Sequence, residues 1–353
     1  MQNPAELTLL RNATWTLSNF CRGKPSPAPE VLTAIMPALS YLLNNADKEV
    51  VQDAAWGISY LTDGEESAVQ AVLDSGVAPR CIALLAHPEL TVVTPALRIV
   101  GNFISGNDRQ TSAVLAAGAL PALMPLLSHQ RKNIKREACW AISNVAAGTR
   151  EQLDALFLVP GIINAVVDLL GRVRENDWNV RKEAAWVVSN IATVGAPEHL
   201  ARLLEMGVTE PLVDILGLTR DPRMLGVVLD AVDGMLACEA RGGSGRTVAD
   251  AFEENGLLNS LESVQETASD DVYEKAVKII ETYYGTEDGD AVEEQPAFVF
   301  GGSSINTLAA VASRANAAPG APVFGAPICF GAPQPAFGGA APAPFSFAAM
   351  NFS

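Results

Sequence analysis

Apolar residues recur at three- and four-residue spacing through most of the chain. PALMPLLS (121–128) and INAVVDLLGRV (163–173) are two such stretches. That period is the signature of amphipathic α-helices, and there is almost no period-two alternation, so strands are not expected. The helices come in a repeating set. WTLSN (15–19), WGISY (56–60), RIVGN (98–102), WAISN (140–144) and WVVSN (186–190) place an anchor residue at 15, 56, 98, 140 and 186. Two weaker copies put Asp230 and Lys278 at the anchor. A glycine follows the amide position at Gly23, Gly64, Gly106, Gly148 and Gly195. Each suits the left-handed residue that ends a helix. About twenty residues after each anchor, as the repeat spacing dictates, a second turn signal follows, such as SGVAP (75–79) and AGALP (117–121).

A period near 42 with two or three helices per unit is the mark of an armadillo or HEAT solenoid. No single unit can bury its own apolar face, so stacking must build one continuous core. The expected fold is all-α, a right-handed solenoid over residues 1–285. After TEDGDAVEE (286–294) the chain turns to Ala, Pro, Gly and Phe, without helical periodicity. Residues 286–353 therefore read as a disordered tail, either an inert solvating segment or one whose Phe-Gly pairs touch similar sequences.

Composition narrows the function. The net charge of −16 opposes nucleic-acid binding, which needs Lys and Arg against phosphates, and favours a basic partner. About −13 of it falls between Asp230 and Glu294. No apolar run reaches the length of a membrane helix. Five scattered cysteines with no CxxC pair indicate reduced thiols. There is no HExxH, GxSxG or Walker loop, and ARGGSGRT (240–247) has no preceding strand, so neither catalysis nor a cofactor is expected. His87, His129 and His199 read as surface residues between helices, and HQRKNIKRE (129–137) as a solvated helix start.

On a helix, residues i and i+4 share a face. Trp140 and Asn144 therefore project together, as do Trp186 and Asn190, and stacking lines them up from repeat to repeat. An amide can donate to and accept from the backbone of an extended peptide. Indoles form slots for lysine stems. Three residues before the anchor stand Asp53, Glu137 and Glu183, placed to meet the ammonium. This constellation reads extended Lys/Arg-rich peptides, from a surface outside the core.

RNATWTLSNFCRGK, DAAWGISYLTDG, ALRIVGNFISGND, REACWAISNVAAG and KEAAWVVSNIA resemble successive armadillo repeats of the importin alpha (karyopherin alpha) family, with similarity from about Leu7 to Gly285. The resemblance implies a nuclear-import adaptor that shuttles between cytoplasm and nucleus and binds nuclear localisation signals. WTLSNFCRGK matches the fourth of the family's ten repeats. The importin-beta-binding segment and most of the major signal site would then lie outside this sequence, so importin beta is expected as a partner only of a longer chain. The resemblance leaves Trp15, Asn19, Asp53, Trp56 and Tyr60 as the edge of the major site. It assigns Arg98, Asn102, Glu137, Trp140, Asn144, Glu183, Trp186 and Asn190 to the minor site, with Arg98 interrupting the indoles and free to pair with an acid. It also implies an export receptor on the last repeats. Two alternatives stand beside it: a catenin-type scaffold for acidic peptides, which the Trp and Glu positions oppose, and a truncated scaffold that holds cargo or the exporter without supporting import. A solenoid starting at this point would expose apolar surface at its first helix, where fraying or self-association is expected.

Overall fold

The computed structural model describes residues 4–23, 27–171, 177–242, 247–267 and 269–285, all within one compact unit, Met1–Gly289. The expected tail disorder and residues 243–246 of the Gly-rich stretch lie outside the described residues. Among the described residues every regular element is helical. The array opens with α1 (Pro4–Cys21), then the pair α2 (Pro29–Leu42) and α3 (Lys48–Thr62). Triplets of two short helices and a longer one follow. They are α4 (Glu66–Asp74), α5 (Ala78–Ala83, continued by a 3-10 turn over Leu84–Ala86) and α6 (Leu90–Ile104); α7 (Asp108–Ala116), α8 (Ala119–Leu127) and α9 (Lys132–Ala146); α10 (Arg150–Leu158), α11 (Ile162–Gly171) and α12 (Trp178–Val194); α13 (Pro197–Glu205), α14 (Thr209–Leu218) and α15 (Pro222–Gly242); and α16 (Thr247–Glu254), α17 (Leu257–Thr267) and α18 (Asp270–Ile279, with a π turn over Ile280–Tyr284).

The long helices stack on one another in the order α1, α3, α6, α9, α12, α15, α18. Two residues before each of four anchors stands a fully buried alanine: Ala54, Ala96, Ala138 and Ala184. Two residues after each stands a fully buried branched residue: Ile58, Val100, Ile142 and Val188. The small residue lets neighbouring helices approach, and the branched one fills the space beside it. Each buried Val or Ile contributes about 1.5–3 kcal/mol, so the stack is held by its core stripe rather than by any single repeat.

Polar staples join the repeats at both rims. Along one rim, a cation in the first half of a long helix meets the acid at the start of the next. Arg11 meets Asp47 at 2.6 Å, Lys48 meets Glu89 at 3.0 Å, Lys132 meets Asp177 at 3.6 Å and Lys182 meets Asp221 at 3.0 Å. Asp47 does two jobs, since its carboxylate also caps α3 by accepting from the Glu49 and Val50 N–H groups. Along the other rim the short helices use glutamine. Gln110 closes a capping box with Asn107 and donates to the Glu66 carbonyl at 3.0 Å. Gln152 does the same with Thr149 and the Asp108 carbonyl at 2.8 Å. In the next repeat His199 takes this place. Its Nδ1 accepts from the Ala196 N–H and its Nε2 lies 3.1 Å from Asp154.

Two expectations are corrected here. His199 is not a surface residue: it is buried at 5% exposure and its ring lies tilted against Phe157. The left-handed glycines are Gly76, Gly118, Gly161, Gly207 and Gly256, between the two short helices, and not the set after the amide positions. Gly106 and Gly148 serve a different need. A Cβ there would overlap the capping-box Gln110 and Gln152, so the glycines clear the space the staples occupy.

Candidate peptide-binding face

The W-x-x-S-N motif is locally self-consistent. Ser18, Ser59 and Ser143 each donate to the carbonyl of the tryptophan three residues earlier, at 2.8 Å. This ties up the serine hydroxyl within its own helix and leaves the indole and the amide as the groups that reach across repeats.

The amides reach backward. Asn190 Nδ2 donates to the Ser143 carbonyl on the preceding long helix at 2.9 Å. Asn102 Nδ2 donates to the Ser59 carbonyl at 3.3 Å and to Thr62 Oγ1 at 3.1 Å. Asn102 is also buried, at 6% exposure, so it braces α6 on α3 rather than standing open beside the others. Asn144 is different: its Nδ2 is buried and has no hydrogen-bond partner among the described residues. An unpaired buried donor costs about 1–3 kcal/mol. Asn19, on the first described helix, donates to its own Trp15 carbonyl. Tyr60 stands where an amide would be and stacks on Trp56 at 5.8 Å, with Arg22 5.9 Å over its ring.

Trp56, Trp140 and Trp186 are half-buried, whereas Trp15 is open. Trp186 packs against the buried cluster. Trp140 lies against Gly101, where a Cβ would overlap the ring. Gly101 occupies the place that Ser59 and Ser143 hold in neighbouring repeats, so the indole can settle directly on the backbone of α6. Trp15 is 60% exposed, and with Leu9 and Phe20 it leaves the first helix the most open of the long ones.

The carboxylates divide into spent and unspent. Glu137 accepts from Arg98 at 2.8 Å and from Arg136 at 3.1 Å, so it is committed within the protein. Asp53 and Glu183 have no cation at ion-pair distance among the described residues. Burial pushes Asp53 up to about 6, aided by the charge of Glu49 and opposed by a bond from Gln52. Burial pushes Glu183 up to about 7; Arg136 opposes this, Glu137 reinforces it and Lys182 opposes it. A carboxyl held in this way ionises more readily when a cation is brought to it.

Beyond Trp186 the face changes. Asp230 pairs with Lys275, and Asp233 pairs with Lys278 at 2.9 Å and accepts from the Tyr283 hydroxyl at 2.8 Å. Burial, with Asp233 beside it, pushes Tyr283 up to about 12. Gly234 stands at the amide position, where a Cβ would come within 2.7 Å of the Ala192 carbonyl. Arg98 and Asn102 lie on α6, Glu137, Trp140 and Asn144 on α9, and Glu183, Trp186 and Asn190 on α12, three consecutive helices of the stack, with Trp15 and Asn19 on α1 and Asp53, Trp56 and Tyr60 on α3 before them. Sequence reasoning missed Gly101, whose signal was a glycine in a serine column, and Arg223, whose guanidinium lies 5.9 Å from the Trp186 ring.

Comparison with known proteins agrees with this architecture. The armadillo/beta-catenin-like repeat family matches residues 25–63 and 107–147, and an atypical armadillo repeat matches 246–297. Importin subunit alpha-1a of Oryza sativa subsp. japonica is 54% identical over 96 residues, 27% of this chain and 18% of that protein. Importin subunit alpha-B of Dictyostelium discoideum is 50% identical over 103 residues, 29% of this chain and 20% of that protein. The aligned part of the chain therefore spans about a fifth of the length of these relatives. Among solved structures, a designed armadillo repeat protein in complex with the peptide (KR)4 superposes with a TM-score of 0.62 at 28% identity, covering 70% of this chain and 99% of the other. A computationally designed armadillo protein for modular peptide recognition gives a TM-score of 0.64 at 27% identity, with 70% and 99% coverage. With its helical triplets, its W-x-x-S-N ladder and these relatives, the chain is an importin-alpha-like armadillo-repeat protein.

Proposed function

We propose that the ladder face binds Lys/Arg-rich nuclear localisation signals as extended peptides, and that the chain acts as a nuclear-import adaptor or the cargo-binding part of one. The observation that carries this reading is the α9–α12 junction. Trp140 and Trp186 stand on these two stacked helices, Glu183 has no cation at ion-pair distance among the described residues, and Asn144 holds a donor without a partner. A lysine stem between the indoles would bring its ammonium to Glu183, while the peptide backbone would meet the amides. The (KR)4 peptide held by a designed armadillo protein supports this chemistry. The α1–α3 junction, with Trp15, Asn19, Asp53, Trp56 and Tyr60, takes a second, weaker basic cluster. Arg98, held by Glu137, separates the two and turns lysine away by like charge.

Other partners follow from the same reading. The last repeats spend their anchor residues on internal pairs and expose acids such as Glu262, Glu266, Asp270 and Glu274, a surface for an export receptor. Importin beta binds only through a segment of a longer chain, and the protein shuttles between cytoplasm and nucleus. The test is a titration of the chain with a bipartite Lys/Arg-rich peptide beside a scrambled acidic peptide, at two salt concentrations. Binding of the basic peptide alone, weakening with salt, is expected. Equal binding of both peptides, or none of either, rejects the reading.

A further inference from the structure

Arg223 stands in the first turn of α15, with its guanidinium 5.9 Å from the ring centroid of Trp186. It is exposed and makes no ion pair among the described residues. The acid nearest in sequence, Asp221, is already committed. It pairs with Lys182 at 3.0 Å and accepts from the Arg223 N–H at 3.2 Å, and Lys182 holds its carboxyl below the usual range. Asp214 is taken by Arg181 at 3.3 Å. Arg220, three residues earlier, donates to the Thr219 carbonyl at 2.9 Å. A chain with a net charge of −16 thus places at the start of α15 two guanidinium groups that have no carboxylate partner among the described residues.

Their position gives them a role. In the stack α12 lies between α9 and α15. The lysine slot lies on the α9 side of Trp186, whereas Arg223 approaches from α15. A peptide lysine going past Trp186 would meet this like charge, and the next anchor, Asp230, already holds Lys275. Stacking over an indole leaves the edge of a guanidinium free to donate, and that edge matches the paired oxygens of a carboxylate or phosphate.

We propose that Arg223 ends the lysine-reading ladder with an anion subsite, which selects basic peptides flanked on the α15 side by a carboxylate or phosphate group. This rests on the basic-peptide reading above, because Trp186 is shared by both subsites. The subsite turns a reader of positive charge into a reader of a boundary between charges. Phosphorylation of a serine at that boundary would strengthen binding.

The test measures a ratio. The chain is titrated with a plain basic peptide and with versions carrying serine, aspartate or phosphoserine just beyond the basic cluster, at one end or the other. The aspartate version is expected to bind about three- to fivefold tighter than the serine one, and the phosphoserine version about tenfold tighter, at one end only. Whatever Arg223→Ala does to the plain peptide, it brings both ratios to one, and Arg223→Glu takes them below one. Circular dichroism checks that both variants keep their helices. A ratio of one in the unmodified chain, or a ratio that survives Arg223→Ala, overturns the proposal. A plain peptide that binds without any flank effect overturns this inference alone. Failure of the plain peptide to bind overturns both readings.

Discussion

At the α9–α12 junction the ladder face carries Trp140, Trp186, Glu183 and Asn144; two repeats on, at α15–α18, the corresponding face carries Asp230, Asp233, Lys275 and Lys278. At both junctions one long helix stacks on the next, more extensively between α9 and α12. Among the described residues, the first junction leaves a carboxyl without a cation at ion-pair distance and an amide nitrogen without an acceptor. The second pairs both of its aspartates with lysines and adds the Tyr283 hydroxyl. A repeat closed on itself gains internal pairs and gives up recognition. On the reading proposed above, a repeat left open is the one that a ligand completes. Binding capacity here is read from what the protein has not paired.

The comparison can be broken most directly at Trp186. Trp186→Ala should weaken basic-peptide affinity by roughly five- to thirtyfold, about 1–2 kcal/mol, from loss of the slot and its cation–π contact. Asp230→Ala should leave that affinity unchanged. Equal losses by titration calorimetry would erase the distinction between the junctions. Next in size is a pH effect. With Glu183 held near 7, a bound lysine must draw its proton off. Affinity should therefore rise with pH, by up to about tenfold between pH 6 and 8, and Glu183→Gln should flatten the profile. The same raised pKa makes ionised Glu183 a cost to folding as pH climbs from about 4.5 to 7, so Glu183→Gln should melt higher than the parent at pH 8.

Gly101→Ala sharpens the geometry. The new methyl would overlap the Trp140 ring, a strain of about 1–3 kcal/mol, against a helix-propensity gain of about 1 kcal/mol. A lower melting temperature, a shifted tryptophan emission and weaker peptide binding are expected together. Lys275→Ala, at the closed junction, should cost under about 1 kcal/mol in thermal melts and nothing in binding, as half-exposed pairs do. The smallest effect concerns His199. Burial, then the charge of Arg150, holds its pKa below the usual value. Its contribution is present above the unfolded pKa and fades as pH falls, because the unfolded chain takes the proton first. His199→Gln should restore the staple that Gln110 and Gln152 make and remove that part of the acid sensitivity, measured by melts from pH 7.5 to 5.5.

The helices and their period were legible because apolar spacing alone fixes which face is buried. The indole, amide and acid positions were legible because they recur in phase. What the sequence hid was commitment. Nothing in Glu137 itself says that Arg98, on the preceding long helix, and its neighbour Arg136 already hold it. Nothing in Asn102 says that it is buried beneath the Ser59 carbonyl. The glycines misled for a related reason. Those after the amides looked like left-handed caps, but the left-handed residues sit one turn signal further on, and Gly106 and Gly148 make room for glutamines instead. Pairing across repeats is a property of the stack, and a repeat read alone does not contain it.

The backward-reaching amides carry a consequence for how the array tolerates change. Asn102 finds the Ser59 carbonyl 43 residues earlier, and Asn190 finds the Ser143 carbonyl 47 residues earlier. The same bond is made across two different lengths of chain. The caliper is set by the distance between stacked helices and not by the length of chain that joins them. A short epitope or a fluorophore-bearing insert placed between Gly171 and Asp177 should therefore leave the lysine slot in register, making that connection the natural handle for watching this protein bind.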